Sequence, residues 1–389
     1  MDWELAGRHL QDTWGQARAG RWRAVAHTLR RGAEVYNLVA WTLFGRALDH
    51  LLNPGFRRQE IRAPVFVIAP PRSGTTLLFN LLEQDPAFVA APLYATALPA
   101  LSLQRLLQGI AAADARLGGR LGRAFESWQE RQFAPTDHIH RVRMTEVEED
   151  TFHFGAQLAD VGSAYVFPNL HRLPDQGLLD DRPKAVQDRV MDFYEGTIRR
   201  TLYAAPGRRY LAKNVYSGGR LDLLSRRFPD AQLIHIARHP AQVIASATNL
   251  MWMLTHTRGD VQTKPRPPHP LWRAVAFHFV QIYRRIVAFE AKADPRQFMT
   301  LRYDDLVKDP KTSVNQLYDH FAWPRDAEHE ARLTRAMSER ATLRLHDRKV
   351  NHYRLADFGL TEAELEEAMP EVYERYGFVR SVYSGGHRA

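Results

Sequence analysis

An apolar run, Pro64-Val65-Phe66-Val67-Ile68-Ala69, leads directly into Pro70-Pro71-Arg72-Ser73-Gly74-Thr75-Thr76 and then into Leu77, Leu78, Leu81 and Leu82. The first stretch is rich in β-branched and aromatic residues and has the composition of a strand buried on both faces. The leucines fall on one face of a helix that closes near Asp85-Pro86. Strand, glycine-containing turn and helix make one βα unit, which puts the polar turn at the carboxyl end of the strand. Residues 209–215, 232–237 and 298–303 read as further strands, separated by helical stretches long enough for crossovers. The alternation predicts an α/β fold, a P-loop-like and mostly parallel sheet flanked by helices. Ligands of such sheets gather at the carboxyl ends of the strands.

Residues 1–58 read as a helical N-terminal extension, with Leu38, Trp41, Phe44 and Leu48 spaced for one helical face and a break at Asn53-Pro54-Gly55. Residues 59–389 read as the α/β domain. Two stretches read as insertions that shape an acceptor site or a lid: 93–132, helical and rich in Arg, and 250–270, a loop carrying Pro265, Pro267, Pro268 and Pro270. No internal repeat or low-complexity tract is present.

The chain has 389 residues and no cysteine, which removes disulfides, zinc-thiolate sites and a cysteine nucleophile. Its formal net charge is +9, carried almost wholly by Arg; only seven lysines occur. The balance suits an anionic ligand or an anionic lipid surface. No block of like charge resembles a nucleic-acid tail, and no nucleic-acid partner is expected. Met1 to Leu5 does not read as a secretory leader, and the apolar run 37–45 is too short to span a bilayer. The expected location is cytoplasmic, with residues 1–55 amphipathic enough to allow a peripheral membrane contact.

The turn before Thr75 places main-chain N–H groups at a helix start, where the helix dipole favours an anion. Arg72 adds a cationic fork, and Ser73, Thr75 and Thr76 add hydroxyl donors. In a nucleotide-triphosphatase P-loop a Lys follows the second glycine. Aligning Gly74 with that glycine puts Thr75 at the Lys position and Ala69 at the first glycine. The turn can grip an anion but lacks the side chain that reaches a Mg²⁺-bound triphosphate.

A second basic turn follows the strand 232–237: Arg238-His239-Pro240, with Ser246 eight residues beyond Arg238. Pro240 suits the first turn of a helix, so Arg238 and Ser246 can converge on one anion. Taken together, Pro71-Arg72-Ser73-Gly74-Thr75-Thr76-Leu77 and Arg238-x-Pro240 with Ser246 resemble the two nucleotide motifs of the PAPS-dependent sulfotransferase superfamily, especially its bacterial and Golgi-type branches. Further similarity lies in Leu211-Ala212-Lys213-Asn214, in residues 302–310 and in Asp357-Phe358-Gly359-Leu360-Thr361. The resemblance covers roughly residues 60–380 and leaves the first 55 unsupported.

It implies a sulfotransferase that moves the sulfuryl group of PAPS to a hydroxyl or amine by in-line displacement, releases 3′,5′-ADP and needs no metal. It assigns Arg72, Ser73, Gly74, Thr75 and Thr76 to the 5′-phosphosulfate, and Arg238 and Ser246 to the 3′-phosphate. A basic stretch near the C-terminus adds Arg348 or Lys349 to that second site. Lys213 matches the position of a catalytic lysine. Some family members carry a glutamate base shortly after the first helix, but residues 91–96 contain no carboxylate. The base candidates are therefore His140, then His138, with Glu148 or Glu149 as partner. The same histidines as metal ligands would lack a third spaced histidine.

Two other readings compete. A kinase or ATPase would need the missing lysine and an acidic strand end for Mg²⁺. A non-catalytic nucleotide- or polyanion-binding relative at a membrane would explain the charge but not two spaced motifs. The acceptor class is left open among small molecules, lipids and sugars. Phe125, Trp128, Trp252 and Leu254 lean toward a lipid, sterol or aromatic alcohol, and oligomeric state is not legible.

Overall fold

The run 64–69 supplies the central strand, β1 (Val65–Val67), of a five-stranded sheet in the computed structural model. The structure describes residues 3–137, 142–155, 157–161, 175–257, 269–344 and 354–379. The other strands are β2 (Phe88–Val89), β3 (Arg209–Lys213), β4 (Gln232–Ala237) and β5 (Phe298–Arg302), in spatial order β2-β3-β1-β4-β5. Every strand pairing is parallel. The four strands expected from sequence are all present; β2, only two residues long at an edge, was not anticipated.

The N-terminal extension is a helical hairpin, α1 (Trp3–Arg18) and α2 (Trp22–Leu52). Helix α3 (Thr75–Leu82) follows β1. Between β2 and β3 lie α4 (Leu93–Ala97), α5 (Leu101–Arg116), α6 (Arg120–Asp137), the single turn α7 (Phe152–Gly155) and the crossover α8 (Lys184–Ala204). Helix α9 (Leu221–Arg227) joins β3 to β4; α10 (Pro240–Thr257) and α11 (Pro270–Glu290) lead from β4 to β5. The described chain closes with α12 (Tyr303–Lys308), α13 (Pro310–His320), α14 (His329–Arg344), α15 (Glu362–Ala368) and α16 (Pro370–Tyr376).

Side-chain alternation along β1 divides the core. Val65 and Val67 join the α3 leucines, Ile234, Ile236 and α13 on one face of the sheet. Phe66 and Ile68 join Tyr210, Ala212 and the inner faces of α8 and α11 on the other. Burial of each such side chain contributes on the order of 1.5–3 kcal/mol. Both faces are covered, so β1 is wholly buried and its register is fixed: Val67 stands opposite Lys213 on one side and Ile234 on the other.

The hairpin is tied to the domain through Asp49. Its carboxylate accepts from the N–H groups of Leu101 and Ser102 at the start of α5 and from Arg200 Nε at 2.7 Å. Burial works to raise its pKa, but the bonds from Ser102 and Arg200 hold it below the usual value. Gly45 permits the close crossing: a Cβ there would lie 2.6 Å from Leu103 Cγ. Only the inner face of α2 is engaged. Trp41 and Phe44, which share the sequence-derived apolar face with the half-buried Leu38 and Leu48, are 54% and 53% exposed.

The stretch 93–132 is helical, as read. Residues 250–257, expected as part of the loop 250–270, instead continue α10, because Met251 packs in the core with Val243, Ile244 and Ala247 and extends the apolar face. Residues 258–268 lie outside the described residues.

Candidate active site

The loops after β1, β3, β4 and β5 leave a parallel sheet on the same edge, and there the two basic turns meet. Gly74 caps α3 with φ +82°. A Cβ at Gly74 would also stand 3.2 Å from the ring of Tyr303, so conformation and crowding both demand glycine. Arg72 itself has φ +67°, a left-handed conformation that costs an L-residue about 1–2 kcal/mol. Strain of this kind persists where neighbours hold it.

The neighbours holding it come from the other motif. Arg72 Nε donates to Ser246 Oγ at 3.1 Å, and Arg238 Nη1 donates to the carbonyl of Arg72. Arg238 is braced in turn: its guanidinium lies 4.0 Å over the Tyr303 ring, and the Tyr283 hydroxyl donates to its carbonyl at 2.8 Å. Pro240 occupies the first turn of α10, which carries Ser246 to this edge. Ser73 and Thr75 are buried under the turn, whereas Arg72 and Thr76 are exposed. Two guanidinium groups, a helix start and several hydroxyls therefore converge between the carboxyl ends of β1 and β4.

Lys213 ends β3 beside β1 and is 1% exposed. Its Nζ donates to Thr76 Oγ1 at 3.3 Å and to Glu148 Oε1 at 2.7 Å, and it lies 3.6 Å from Glu149 Oε1. Burial alone would lower its pKa, but the two carboxylates outweigh that and raise it, so Lys213 is a cation at neutral pH. The acidic segment reaches it because residues 144–147 run along 92–94: Pro92 bridges Val147, Leu93 N–H donates to the Glu146 carbonyl, and Tyr94 N–H to that of Met144. Glu148 and Glu149 are thus ion-pair partners of Lys213.

Beneath this segment lies a buried polar network that the sequence did not disclose. Asp150 accepts from Asn214 Nδ2 at 2.7 Å and from the Tyr194 hydroxyl, and Arg220 links Asn214 to Asp160. It fixes the chain immediately after Lys213. Glu83, at the end of α3, is a second unanticipated group: burial first, then Glu146, push its carboxyl up to about 7. Behind Pro71 is an apolar pocket lined by Tyr216, Ala247, Met251, Val275, His278 and Phe279. Burial holds His278 neutral, its pKa near 3.

The structure therefore brings together Arg72, Ser73, Gly74, Thr75, Thr76, Arg238 and Ser246, with Lys213, Glu148 and Glu149 alongside. His138, His140, Arg348 and Lys349 lie outside the described residues. Among the described residues no group of three or more potential ligands could hold a metal, and no helix is long and apolar enough to cross a membrane.

Residues 64–328 match the model of the Sulfotransferase family. That span is more than half of the chain and contains both basic turns, and the chain belongs to this family. It is 28% identical over 322 residues to the omega-hydroxy-beta-dihydromenaquinone-9 sulfotransferase Stf3 of Mycobacterium bovis, covering 82% of this chain and 76% of that one. The Mycobacterium tuberculosis protein of the same name matches equally. Among solved structures, sulfotransferase STF1 from Mycobacterium tuberculosis H37Rv superposes with a TM-score of 0.65 at 20% identity, covering 89% of this chain and 87% of that one. Sulfotransferase STF9 from Mycobacterium avium gives 0.66 at 20% identity, covering 89% and 84%. These two likenesses establish the shared fold.

Proposed function

We propose that this chain is a PAPS-dependent sulfotransferase acting on a hydroxyl carried by a largely apolar acceptor. The observation that carries the reading is the direct junction of the two basic turns, Arg72 Nε on Ser246 Oγ and Arg238 on the Arg72 carbonyl. A donor with phosphate groups at both its 5′ and 3′ positions needs two cationic sites within one nucleotide's reach. A glycine-capped helix start without a P-loop lysine suits a phosphosulfate better than a metal-bound triphosphate.

In this reading Arg72, Ser73, Gly74, Thr75 and Thr76 hold the 5′-phosphosulfate, while Arg238 and Ser246 hold the 3′-phosphate. PAPS supplies an electrophilic sulfur whose bond to the 5′-phosphate oxygen breaks as the acceptor oxygen attacks, leaving 3′,5′-ADP. Lys213, cationic and hydrogen-bonded to Thr76, stabilises negative charge at that helix start. Glu148 pairs with Lys213, keeping it protonated and oriented. The proton of the acceptor passes to a base drawn from His140 and His138 or from the carboxylates at 148 and 149.

The apolar pocket behind Pro71, about 10 Å³ and so no larger than one water, seats no acceptor as it stands; it places apolar side chains beside the turn. The Mycobacterium relatives, named for omega-hydroxy-beta-dihydromenaquinone-9, are what supports a lipid-like acceptor over a sugar. The test is transfer of label from radiolabelled PAPS to a panel of long-chain, prenyl and aromatic alcohols alongside mono- and disaccharides. Labelled alcohol esters are expected. Labelling of sugars alone would reverse the acceptor assignment, and no labelling with any acceptor, alongside tight Mg-ATP binding, would remove the sulfotransferase reading.

A further inference from the structure

Helix α2 is 31 residues long, about 45 Å, and only its inner face meets the domain. Its outer face carries a second apolar seam. Trp22, Leu29, Tyr36 and Leu43 recur every seven residues, and Ala26, Ala33, Ala40 and Ala47 recur every seven residues between them. The spacing alternates four and three, the signature of a coiled-coil seam sustained over four heptads. All eight positions are exposed, Trp22 at 64%, Leu29 at 59% and Leu43 at 56%.

We propose that this seam is the contact of a homodimer in which α2 of one copy packs along α2 of the other. Alternating large and small residues let the large side chains of one helix enter the gaps over the alanines of its partner, with the backbones close together. A face meant only for lipid needs apolarity but no seven-residue alternation of volume, so the pattern favours a second helix over a bilayer. The area is also sufficient. The exposed portions of the seam, extended by Phe44 at 53% and Leu51 at 77%, amount to roughly 800 Å² per copy, the amount a stable interface of standard size buries. A self-complementary patch of this kind closes with two-fold symmetry, and the partner is therefore a second copy of this chain.

The test is sedimentation velocity on the full chain and on an Ala33→Glu/Ala40→Glu variant. Both positions are exposed and Glu is a good helix former, so the fold should survive. The wild type is expected at twice the 44.7 kDa chain mass and the variant at 44.7 kDa, with identical circular dichroism and identical 3′,5′-ADP affinity. A wild type that stays monomeric at about 100 μM, or a dimer that the double variant leaves intact, would overturn the proposal. So would a monomeric wild type that co-sediments with phosphatidylglycerol vesicles through these same alanines, which would give the face to a membrane. A monomer that still binds 3′,5′-ADP refutes the dimer alone and leaves the nucleotide reading standing.

Discussion

Arg72 and Ser246, 174 residues apart, are joined by a hydrogen bond of 3.1 Å from guanidinium to hydroxyl. The contact ties the turn after β1 to the helix after β4, and Arg238 reinforces it through the Arg72 carbonyl. Each motif is thereby positioned by the other. Removal of Arg238 should harm more than its own charge, because the left-handed backbone at Arg72 loses a support. Arg238→Ala is expected to weaken 3′,5′-ADP binding by about 10- to 100-fold, the worth of charge-assisted bonds. Arg238→Lys should recover little of it, since a lysine cannot reproduce the fork or the stacking on Tyr303. Isothermal titration of both variants decides the point.

Gly74→Ala probes the helix cap. The substitution forces an L-residue to φ +82° and a Cβ to 3.2 Å from Tyr303. A loss of about 1–2 kcal/mol in urea unfolding is expected, with nucleotide affinity falling further than stability. Because the Tyr303 ring also braces Arg238, Gly74→Ala/Tyr303→Leu is read against Tyr303→Leu alone; equal affinity in the two would assign the loss to crowding, a further loss to backbone strain.

Lys213 and Glu148 form a buried pair, so single substitutions confound stability with catalysis. Lys213→Met leaves two carboxylates without their cation, and a loss of up to about 3 kcal/mol is expected. Adding Glu148→Gln should restore much of that stability. Turnover should not return: a fall of about 100- to 1000-fold in kcat is expected in both, with 3′,5′-ADP affinity changed little. Full activity in the double variant would remove Lys213 from the chemistry.

Glu83 gives a pH signature. Its folded carboxyl, near 7 against 4.5 in the unfolded chain, favours the protonated form. Between those values the folded state holds the extra proton, and stability falls as pH rises through the window. Glu83→Gln should erase this slope. After allowance for solvent screening, the variant should gain on the order of 1 kcal/mol relative to wild type between pH 5 and pH 8. Thermal melts of the two proteins across that range measure it.

The strands and the two basic turns were legible because they are local. A β-branched run followed by Arg-Ser-Gly-Thr, or by Arg-His-Pro, declares its element and its chemistry within ten residues. What could not be read depends on distance along the chain. Glu148 lies 65 residues from Lys213, and only the strand-like passage of residues 144–147 along 92–94 places it there. Tyr303 stood inside a family-like segment, but its place above Arg238 follows from β5 lying next to β4. Strand β2 has two residues and no β-branched run to announce it. The outer seam of α2 was not legible because apolar residues occur on more than one face of the helix, and which face packs on the domain depends on contacts such as Asp49 with α5 and Arg200.

The most direct measurement is calorimetric titration of the metal-free chain with 3′,5′-ADP, set against titration with Mg-ATP. One nucleotide per chain at micromolar affinity is expected for 3′,5′-ADP, weakened about 10- to 100-fold by Arg238→Ala, with Mg-ATP binding far more weakly than 3′,5′-ADP does to the wild type. Tight Mg-ATP binding with no heat from 3′,5′-ADP would contradict the reading of Arg72 and Arg238 as two grips on a single nucleotide.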